Sequence, residues 1–309
     1  MVQKDLKKII IICGPTAVGK TAAGIELARG YNGEIVNADS GQVWQGLDIG
    51  TAKPALSERR DVVHHLLDVV SPNEQFDASK FVAMADGAIK DIAGRGKCAF
   101  VVGGTGMYLR MLVHGLCGAP PRSPEYRTKL SEEVDRIGIE KLHERLTEFD
   151  PVTAKVVHPT DKTRIVRALE IFESTGVTAS EFYRRHRFLD LRYDALKIGL
   201  DMPRKELYDR INARIDKMIN EGWIDEVKGL LKRHSPKSQA FQAIGYREII
   251  SYLSKEISLE DALGLIKMNS RRFAKRQLTW FRADTGIRWF TPSQLLQIRD
   301  EISGFLGNN

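Results

Sequence analysis

The chain has 309 residues, of which 42% are hydrophobic and 28% charged, and its formal net charge is +7. These proportions are typical of a globular protein with one large core or two smaller ones. No apolar run approaches the roughly eighteen residues of a membrane span, and no signal peptide is expected, because a strand-like segment follows the N-terminus closely. The three cysteines are scattered, which excludes a zinc-finger pattern or a disulfide framework and fits a reducing cytoplasm.

The excess positive charge lies beyond Arg110, where Lys and Arg outnumber Asp and Glu by 34 to 28. A polyanionic partner and a merely basic surface explain this excess equally well.

The first thirty residues predict a strand, a glycine-containing loop and a helix. Residues 8–13 include four consecutive isoleucines, as in a strand buried on both faces, and residues 21–29 predict a helix that ends near Gly30. Between them every fixed position of the phosphate-binding pattern G-x-x-x-x-G-K-[S/T] is matched, by Gly14, Pro15, Thr16, Ala17, Val18, Gly19, Lys20 and Thr21. Backbone N–H groups and Lys20 would bind a di- or triphosphate, and the Thr21 hydroxyl would bind Mg²⁺.

Two further predicted strands bring polar side chains to the same edge of the sheet. Residues 33–38 precede Asp39 and Ser40, and residues 98–102 precede a glycine-rich turn that carries Thr105. Ligands of parallel sheets bind beyond the carboxyl ends of the strands, so these side chains should lie near Lys20. A carboxylate there holds a metal, acts as a base or pairs with a cation, unless it is only a helix cap or part of a salt bridge.

The segments between these strands are assigned from local pattern. Residues 42–54 predict an ordered loop over the site, and 77–93 an amphipathic helix. His64 and His65 are adjacent on an extended segment and therefore point to opposite sides, so we interpret them as structural or loop contacts and not as a metal pair.

The second half predicts a helical insertion followed by a return to the sheet. Three prolines within 116–124 mark a boundary, and helices are predicted at 124–137, 140–148, 151–157, 161–174 and 179–187. A strand at 196–200, one long helix at 204–233, a helix opening at 243–247 and a long helix at 259–282 follow.

Arg214 falls at the edge of the apolar stripe of the helix at 204–233, where its guanidinium needs an anionic partner. The last helix carries a basic row with aromatic neighbours, which suits a phosphate backbone, although the aromatic residues also fit a core.

The predicted fold class is α/β. We expect a P-loop NTPase-like parallel sheet core flanked by helices, formed by residues 1–118 and 193–309. An all-helical insertion domain at 119–192 interrupts this core.

Eight segments, read together, resemble the tRNA dimethylallyltransferase family along nearly the whole chain. They are GPTAVGKT at 14–21, DSGQVW at 39–44, DIGTAKP at 48–54, HHLLD at 64–68, GGTGMY at 103–108, RIVRALE at 164–170, AIGYR at 243–247 and AKRQLTW at 274–280. Trp44 departs from the usual tyrosine and Gly41 from a larger residue. A zinc finger like that of eukaryotic relatives is absent, which implies the bacterial type.

The resemblance implies a reaction in which the N6 amine of adenosine 37 in tRNAs reading codons that begin with U attacks dimethylallyl diphosphate. Asp39 would be the general base, and Thr105 and Arg214 would assist departure of the diphosphate with Mg²⁺. The implied tRNA contacts are Asp39, Ser40, Gly41, Gln42, Thr105, Arg164, Arg167, Ala243, Gly245 and Arg247. The insertion would clamp the anticodon stem-loop, and the family implies a cytoplasmic monomer.

Three other functions remain open from the residues alone. A small-molecule kinase is one, because phosphate loops mostly handle nucleoside triphosphates. An adenylate isopentenyltransferase that forms cytokinins shares the chemistry but takes free AMP or ADP. A non-catalytic RNA-binding module is the third, and for it Lys20 and Asp39 would be dispensable.

Overall fold

One parallel sheet organises the larger part of the chain. The computed structural model describes residues 6–59 and 61–307, and within them six strands pair in the order β3-β2-β4-β1-β5-β6. The strands are β1 (Lys8–Cys13), β2 (Gly33–Asn37), β3 (His64–His65), β4 (Cys98–Gly103), β5 (Asp194–Leu200) and β6 (Ile287–Phe290). The predicted strands at 8–13, 33–38, 98–102 and 196–200 and the α/β class are confirmed.

The central strand β1 pairs with β4 on one side and β5 on the other, so that Ile10 lies between Phe100 and Leu196. Its four isoleucines are at most 2% exposed, as expected of a strand covered on both faces. All five pairings are parallel, so the carboxyl ends of the long strands meet at one edge.

Helices pack on this sheet and extend beyond it. Helices α1 and α3 both contact β2 and β4. Asp77 caps the N-terminus of α3, and its side chain accepts hydrogen bonds from the N–H groups of Ser79 and Lys80. The helices before the insertion are α1 (Lys20–Gly30), α2 (Leu56–Arg59), α3 (Ala78–Gly94) and α4 (Gly106–His114). Those after it are α10 (Arg204–Asn220), α11 (Trp223–Leu231), α12 (Tyr246–Leu253), α13 (Leu259–Arg282) and α14 (Leu295–Leu306), with a 3₁₀ turn at Gln239–Gln242.

The prediction of one helix over 204–233 is wrong. Helix α10 ends at Asn220, and α11 begins at Trp223 after Gly222, whose φ of 97° lies in the left-handed region. The apolar stripe continues across the break, because Met218, Trp223 and Val227 are all buried. The apolar periodicity alone therefore predicted one helix where the glycine separates two.

The chain divides into two compact units, of which the second is His114–Leu191. Its helices are α5 (Pro124–Ile137), α6 (Ile139–Phe149), α7 (Pro151–Val156), α8 (Lys162–Thr175) and α9 (Ala179–His186), so the predicted helices are confirmed. They enclose their own apolar core, built around Leu130, Leu142, Leu146, Ile165 and Leu169. Within residues 6–59 and 61–307, no helix combines the length and apolar character needed to cross a membrane.

Candidate active site

The phosphate-binding loop connects β1 to α1 and adopts the backbone conformation that an anion site needs. Gly14, Ala17 and Gly19 have φ values of 145°, 65° and 104°. Positive φ values alternating with helical ones direct successive N–H groups to one side and form a concave anion nest. Gly19 occupies the cap position of α1, and no side chain of the described chain caps that terminus. The helix N-terminus therefore keeps its N–H groups and its positive dipole end for a ligand.

Lys20 supplies the charge of this loop. Its Nζ donates to the carbonyl oxygen of Pro15 at 2.7 Å. Burial lowers the pKa of Lys20 to about 8, an effect opposed by the carboxylate of Asp39 and reinforced by Arg214. A bound phosphate would stabilise the ammonium form, so the site is electrostatically prepared for an anion.

Asp39 follows β2 at the carboxyl edge of the sheet, where the sequence predicts it. Its Oδ1 accepts from the N–H of Gly41 at 2.8 Å, and its own N–H donates to Oδ1 of Asn37 at 3.2 Å. Both carboxylate and backbone are thereby fixed in a tight turn. Among residues 6–59 and 61–307 the second carboxylate oxygen has no hydrogen-bond or salt-bridge partner, so it can serve a metal, a cation or a proton.

Thr105 lies beside this turn, as predicted. Its Oγ1 accepts from the N–H of Ser40 at 3.0 Å and donates to the Ser40 hydroxyl at 3.3 Å, and its N–H bonds the carbonyl of Ala38. The loops after β2 and β4 therefore form one connected edge, with two hydroxyl groups next to Asp39.

Arg214 lies on α10 and is half-buried. It lines three neighbouring cavities, all bordered by residues of the phosphate loop. Its guanidinium makes no hydrogen bond or salt bridge within residues 6–59 and 61–307. Burial lowers its pKa and the nearby Asp39 carboxylate opposes this, but a guanidinium remains charged at neutral pH. A half-buried cation of this kind needs the anionic partner that the sequence predicts.

Two of the cavities have different chemical character. One, of about 590 Å³, is lined by the loop residues Gly19, Lys20 and Thr21 together with Arg210 and Arg214. The other, of about 400 Å³, shares the lining residues Ala17 and Arg214 with it. Its walls carry the apolar residues Ile211, Ile215, Met218, Trp223 and Phe273, and its polar residues include Asp39, Ser40, Thr51, Arg247 and Arg276. An anion site thus lies beside a largely apolar space whose wall carries a carboxylate.

Gln277 on α13 holds the phosphate loop and was not singled out as a site residue from the sequence. Its Oε1 accepts from the N–H of Thr16 at 2.8 Å, and its Nε2 donates to the carbonyl of Gly104 at 2.9 Å. The side chain is 6% exposed. One buried amide therefore connects the loop after β1 to the loop after β4. The sequence signal that could have identified Gln277 is that it is an uncharged polar residue in a helical segment otherwise rich in basic and aromatic residues.

The other residues predicted to contact RNA are divided between the two units, and Ala243, Gly245, Arg247 and Gln42 belong to the first. Ala243, Gly245 and Arg247 surround the start of α12, and Ala243 and Arg247 line the apolar cavity with Gly41. Gln42 is buried, and its Nε2 donates to the carbonyls of Thr51 and Ala52 at 3.1 Å, so it supports the loop over the site.

Arg164 and Arg167 lie on α8 in the second unit. Arg164 is exposed, at 3.5 Å from Asp161. Arg167 is more enclosed: its Nη1 pairs with Glu170 at 2.8 Å, and its Nη2 donates to the Pro120 carbonyl at 2.5 Å. The guanidinium of Arg167 therefore also stabilises the helical unit.

Both family departures have a structural setting. Trp44 is 4% exposed and meets Phe76 edge-on at 6.3 Å, so it serves as a core residue. A Cβ at position 41 would come within 3.2 Å of Thr51, which the small residue avoids. His65 Nε2 lies 2.8 Å from the carboxylate of buried Glu34, and His64 Nδ1 donates to the carbonyl of Val62 at 2.9 Å, in keeping with structural roles.

The donor set suits a metal shared with a phosphate ligand. Across the described residues, no group of three or more His, Cys, Asp or Glu side chains could hold a metal ion by itself. Mg²⁺ usually retains water and binds one or two protein oxygens together with substrate phosphates. Thr21 and Asp39 line one small cavity with Lys20, so a hydroxyl and a carboxylate are available there.

Known proteins share this arrangement over nearly their full length. A family model described as IPP transferase matches residues 42–284. A tRNA dimethylallyltransferase from Geobacter metallireducens is 47% identical over 307 residues, which is 99% of both chains.

Solved structures agree with the sequence relatives. The tRNA isopentenylpyrophosphate transferase of Bacillus halodurans is 41% identical, with a TM-score of 0.73 and 97% of each chain covered. A eukaryotic dimethylallyltransferase, solved in snapshots of its action on tRNA, is 31% identical, with a TM-score of 0.80, covering 98% of this chain and 80% of that one. Similarity of this extent confirms the resemblance predicted from the motifs, and the chain belongs to the IPP transferase family.

Proposed function

We propose that this protein transfers the dimethylallyl group of dimethylallyl diphosphate to N6 of adenosine 37 in tRNA and releases diphosphate. The observation that carries the proposal is that Arg214 lines two adjacent cavities, one bordered by the phosphate loop and one apolar with the Asp39 carboxylate, a pair that we call the junction. A substrate with a diphosphate head and a short apolar tail matches this junction. Relatives named tRNA dimethylallyltransferase support the acceptor.

The diphosphate is bound as a leaving group and not as a phosphoryl donor. As the bond between C1 and its oxygen breaks, negative charge grows on the diphosphate. The loop N–H groups, Lys20 and Arg214 border one cavity and would stabilise that charge. Hydrogen bonds between Thr105 and Ser40 hold together the loops after β2 and β4, which form the neighbouring edge of the sheet.

Mg²⁺ is the cofactor that the donor chemistry fits. Thr21 would hold it together with diphosphate oxygens, and Asp39 lines the same small cavity. When bound, the metal neutralises part of the diphosphate charge.

The nucleophile is the exocyclic amine of adenine, which is weak because its lone pair is delocalised into the ring. Its nitrogen forms a bond to C1 while the electron pair of the C1–O bond leaves with the diphosphate. One N6 proton must then go to a base, and the Asp39 carboxylate is the acidic group on the cavity wall. A base stacked in an anticodon loop cannot reach Asp39, so adenosine 37 is flipped out of the stack.

The helical unit and the basic residues serve the RNA in this proposal. The exposed Arg164 and the arginines that line the apolar cavity, Arg247 and Arg276, would contact phosphates of the anticodon stem-loop. The substrates are tRNAs that read codons beginning with U, and the enzyme acts as a cytoplasmic monomer.

The test uses radiolabelled dimethylallyl diphosphate and Mg²⁺ with unmodified tRNA, with the same tRNA changed at adenosine 37, or with AMP. We expect label in the first tRNA alone. Label in AMP alone would assign the protein to the cytokinin-forming chemistry. Consumption of ATP without any labelled acceptor would indicate a kinase and refute the proposal.

A further inference from the structure

The start of α11 contacts two separate segments that border the apolar cavity. Gly50 and Thr51 contribute to the cavity wall from the loop after β2, and Ala243, Ile244 and Arg247 contribute from the turn before α12 and its first residues. These segments are almost two hundred residues apart in sequence. Trp223 and Glu226, one helical turn apart on α11, contact both of them.

Glu226 binds the first segment through consecutive backbone amides. Its Oε2 accepts from Asp48 at 2.9 Å and Ile49 at 2.7 Å, and its Oε1 accepts from Gly50 at 3.3 Å. Three successive N–H groups aimed at one carboxylate form an anion nest within the protein. The same Oε1 accepts from the hydroxyl of Tyr246 at 2.6 Å, so the carboxylate also holds the first residue of α12.

Trp223 lies between the same two segments and is 2% exposed. A Cβ at Gly50 would lie 2.0 Å from its Nε1, and a Cβ at Gly245 would lie 2.0 Å from its Cη2. Only glycine permits contacts this close on both edges of the indole, and Gly245 also has a φ of 95°. Tyr246 meets the indole edge-on at 5.7 Å. The indole therefore sets the distance between the two segments.

We propose that Trp223 and Glu226 are positioning residues that set the width of the cavity receiving the acceptor base. The inference rests on the proposed function, because it assigns the apolar cavity to the flipped adenine and the prenyl group. Neither residue lines the cavity of the phosphate loop that contains Lys20 and Thr21. Their loss should consequently affect the acceptor and spare the diphosphate.

The first test is steady-state kinetics of Glu226→Gln. An amide keeps the size of the carboxylate but sets an NH₂ group against backbone N–H donors, so the loop loses charge-assisted bonds. We expect KM for tRNA to rise about tenfold, while KM for dimethylallyl diphosphate stays within about twofold. The matched control is Asp225→Asn on the same helical turn, where the side chain is exposed and pairs with Lys228 at 3.1 Å, and it should leave both KM values unchanged.

Two further variants cover the case in which Glu226→Gln folds poorly. Tyr246→Phe removes one of the bonds to Glu226 and should raise KM for tRNA about threefold. Gly50→Ala collides with the indole and should raise it more, and Trp223→Phe in the same chain should restore part of the loss, because the smaller ring frees the space. Compensation of this kind is not expected of two independently destabilising changes.

The outcomes separate the inference from the proposed function. A wild-type chain that labels no tRNA overturns the proposed function and the inference with it. A labelling wild type whose Glu226→Gln variant loses affinity for both substrates in parallel overturns the inference alone. The same holds if Gly50→Ala and Trp223→Phe are simply additive.

Discussion

The amide of Gln277 is the most informative group to remove from the phosphate site. Gln277→Met keeps the length and approximate volume of the side chain but deprives the Thr16 N–H and the Gly104 carbonyl of their partner. A buried backbone group left without a hydrogen bond costs about 1–3 kcal/mol. Gly104 is buried, whereas Thr16 is only partly buried and regains water, so we expect a total loss of about 1–4 kcal/mol in the free energy of unfolding.

The same change should weaken diphosphate binding. Without Gln277 the loop after β1 is held less firmly, and part of its order must be established when the anion binds. A cost of about 1–2 kcal/mol corresponds to a fivefold to thirtyfold higher Kd. Urea unfolding measures the first quantity, and calorimetric titration with dimethylallyl diphosphate measures the second.

Gln239→Met is the matched control. Gln239 makes the same pair of backbone bonds, accepting from Phe76 N–H at 3.1 Å and donating to Phe76 carbonyl at 2.7 Å, but it does not touch the phosphate loop. We expect it to leave the Kd of the diphosphate unchanged. An unaltered Kd in Gln277→Met, or an equal increase in the control, would refute the role given to Gln277.

Three other predictions concern charge. The pKa of Lys20 is lowered to about 8 and an anion favours its ammonium form, so diphosphate binding at pH 8.5 should take up a fraction of a proton. Lys20→Arg should abolish that uptake. Proton uptake is measured as the buffer dependence of the binding heat, and an equal dependence in both proteins would contradict the prediction. Unfolded Lys20 titrates near 10.5, so the unfolded chain binds more protons between these values, and the Lys20 contribution to stability rises with pH through that window. Asp39→Ala should lower turnover at least about a hundredfold with little change in tRNA affinity, and a matching loss of tRNA binding in filter assays would remove Asp39 as the base. Arg167→Ala should weaken tRNA binding and flatten its salt dependence, and an unchanged salt slope would exclude Arg167 from the interface. The same change should destabilise the helical unit by about 2–4 kcal/mol, because Glu170, 1% exposed, loses its cationic partner.

The predictions from sequence succeeded where the signal was local. The four isoleucines before Gly14 predict a strand, the residues after Lys20 predict a helix, and the loop lies between them. These signals fall within about twenty residues, and the structure contains all three elements. Asp39 and Thr105 were assigned to one edge because parallel strands end together. The five helices of the insertion also carry local signals, since four of them begin at a capping residue or a proline, and they were found in the correct order.

The residues that hold the site together were missed because their contacts are distant in sequence. Gln277 reaches Thr16 across 261 positions, and Glu226 reaches Asp48 across 178. Nothing in a single sequence shows which side chains these are. One short element was missed for a different reason: β6 has four residues, too few for a period to be recognised. The two residues of β3, His64 and His65, were predicted only as an extended segment.

The position of the helical unit within the chain has a consequence for biosynthesis. Strand β1 is made first, yet its neighbour β5 lies beyond the insertion, and Lys8 pairs with Asp194. At about 5–20 residues per second, a ribosome needs roughly 10–40 s to synthesise the stretch between them. Both edges of β1 are open until β4 is made, and one edge with four isoleucines then stays open until β5 is made. The unit His114–Leu191 has its own core and waits for no later segment of the chain. The nascent chain is therefore most exposed to aggregation through its central strand, and we expect a chaperone to bind there until β5 emerges.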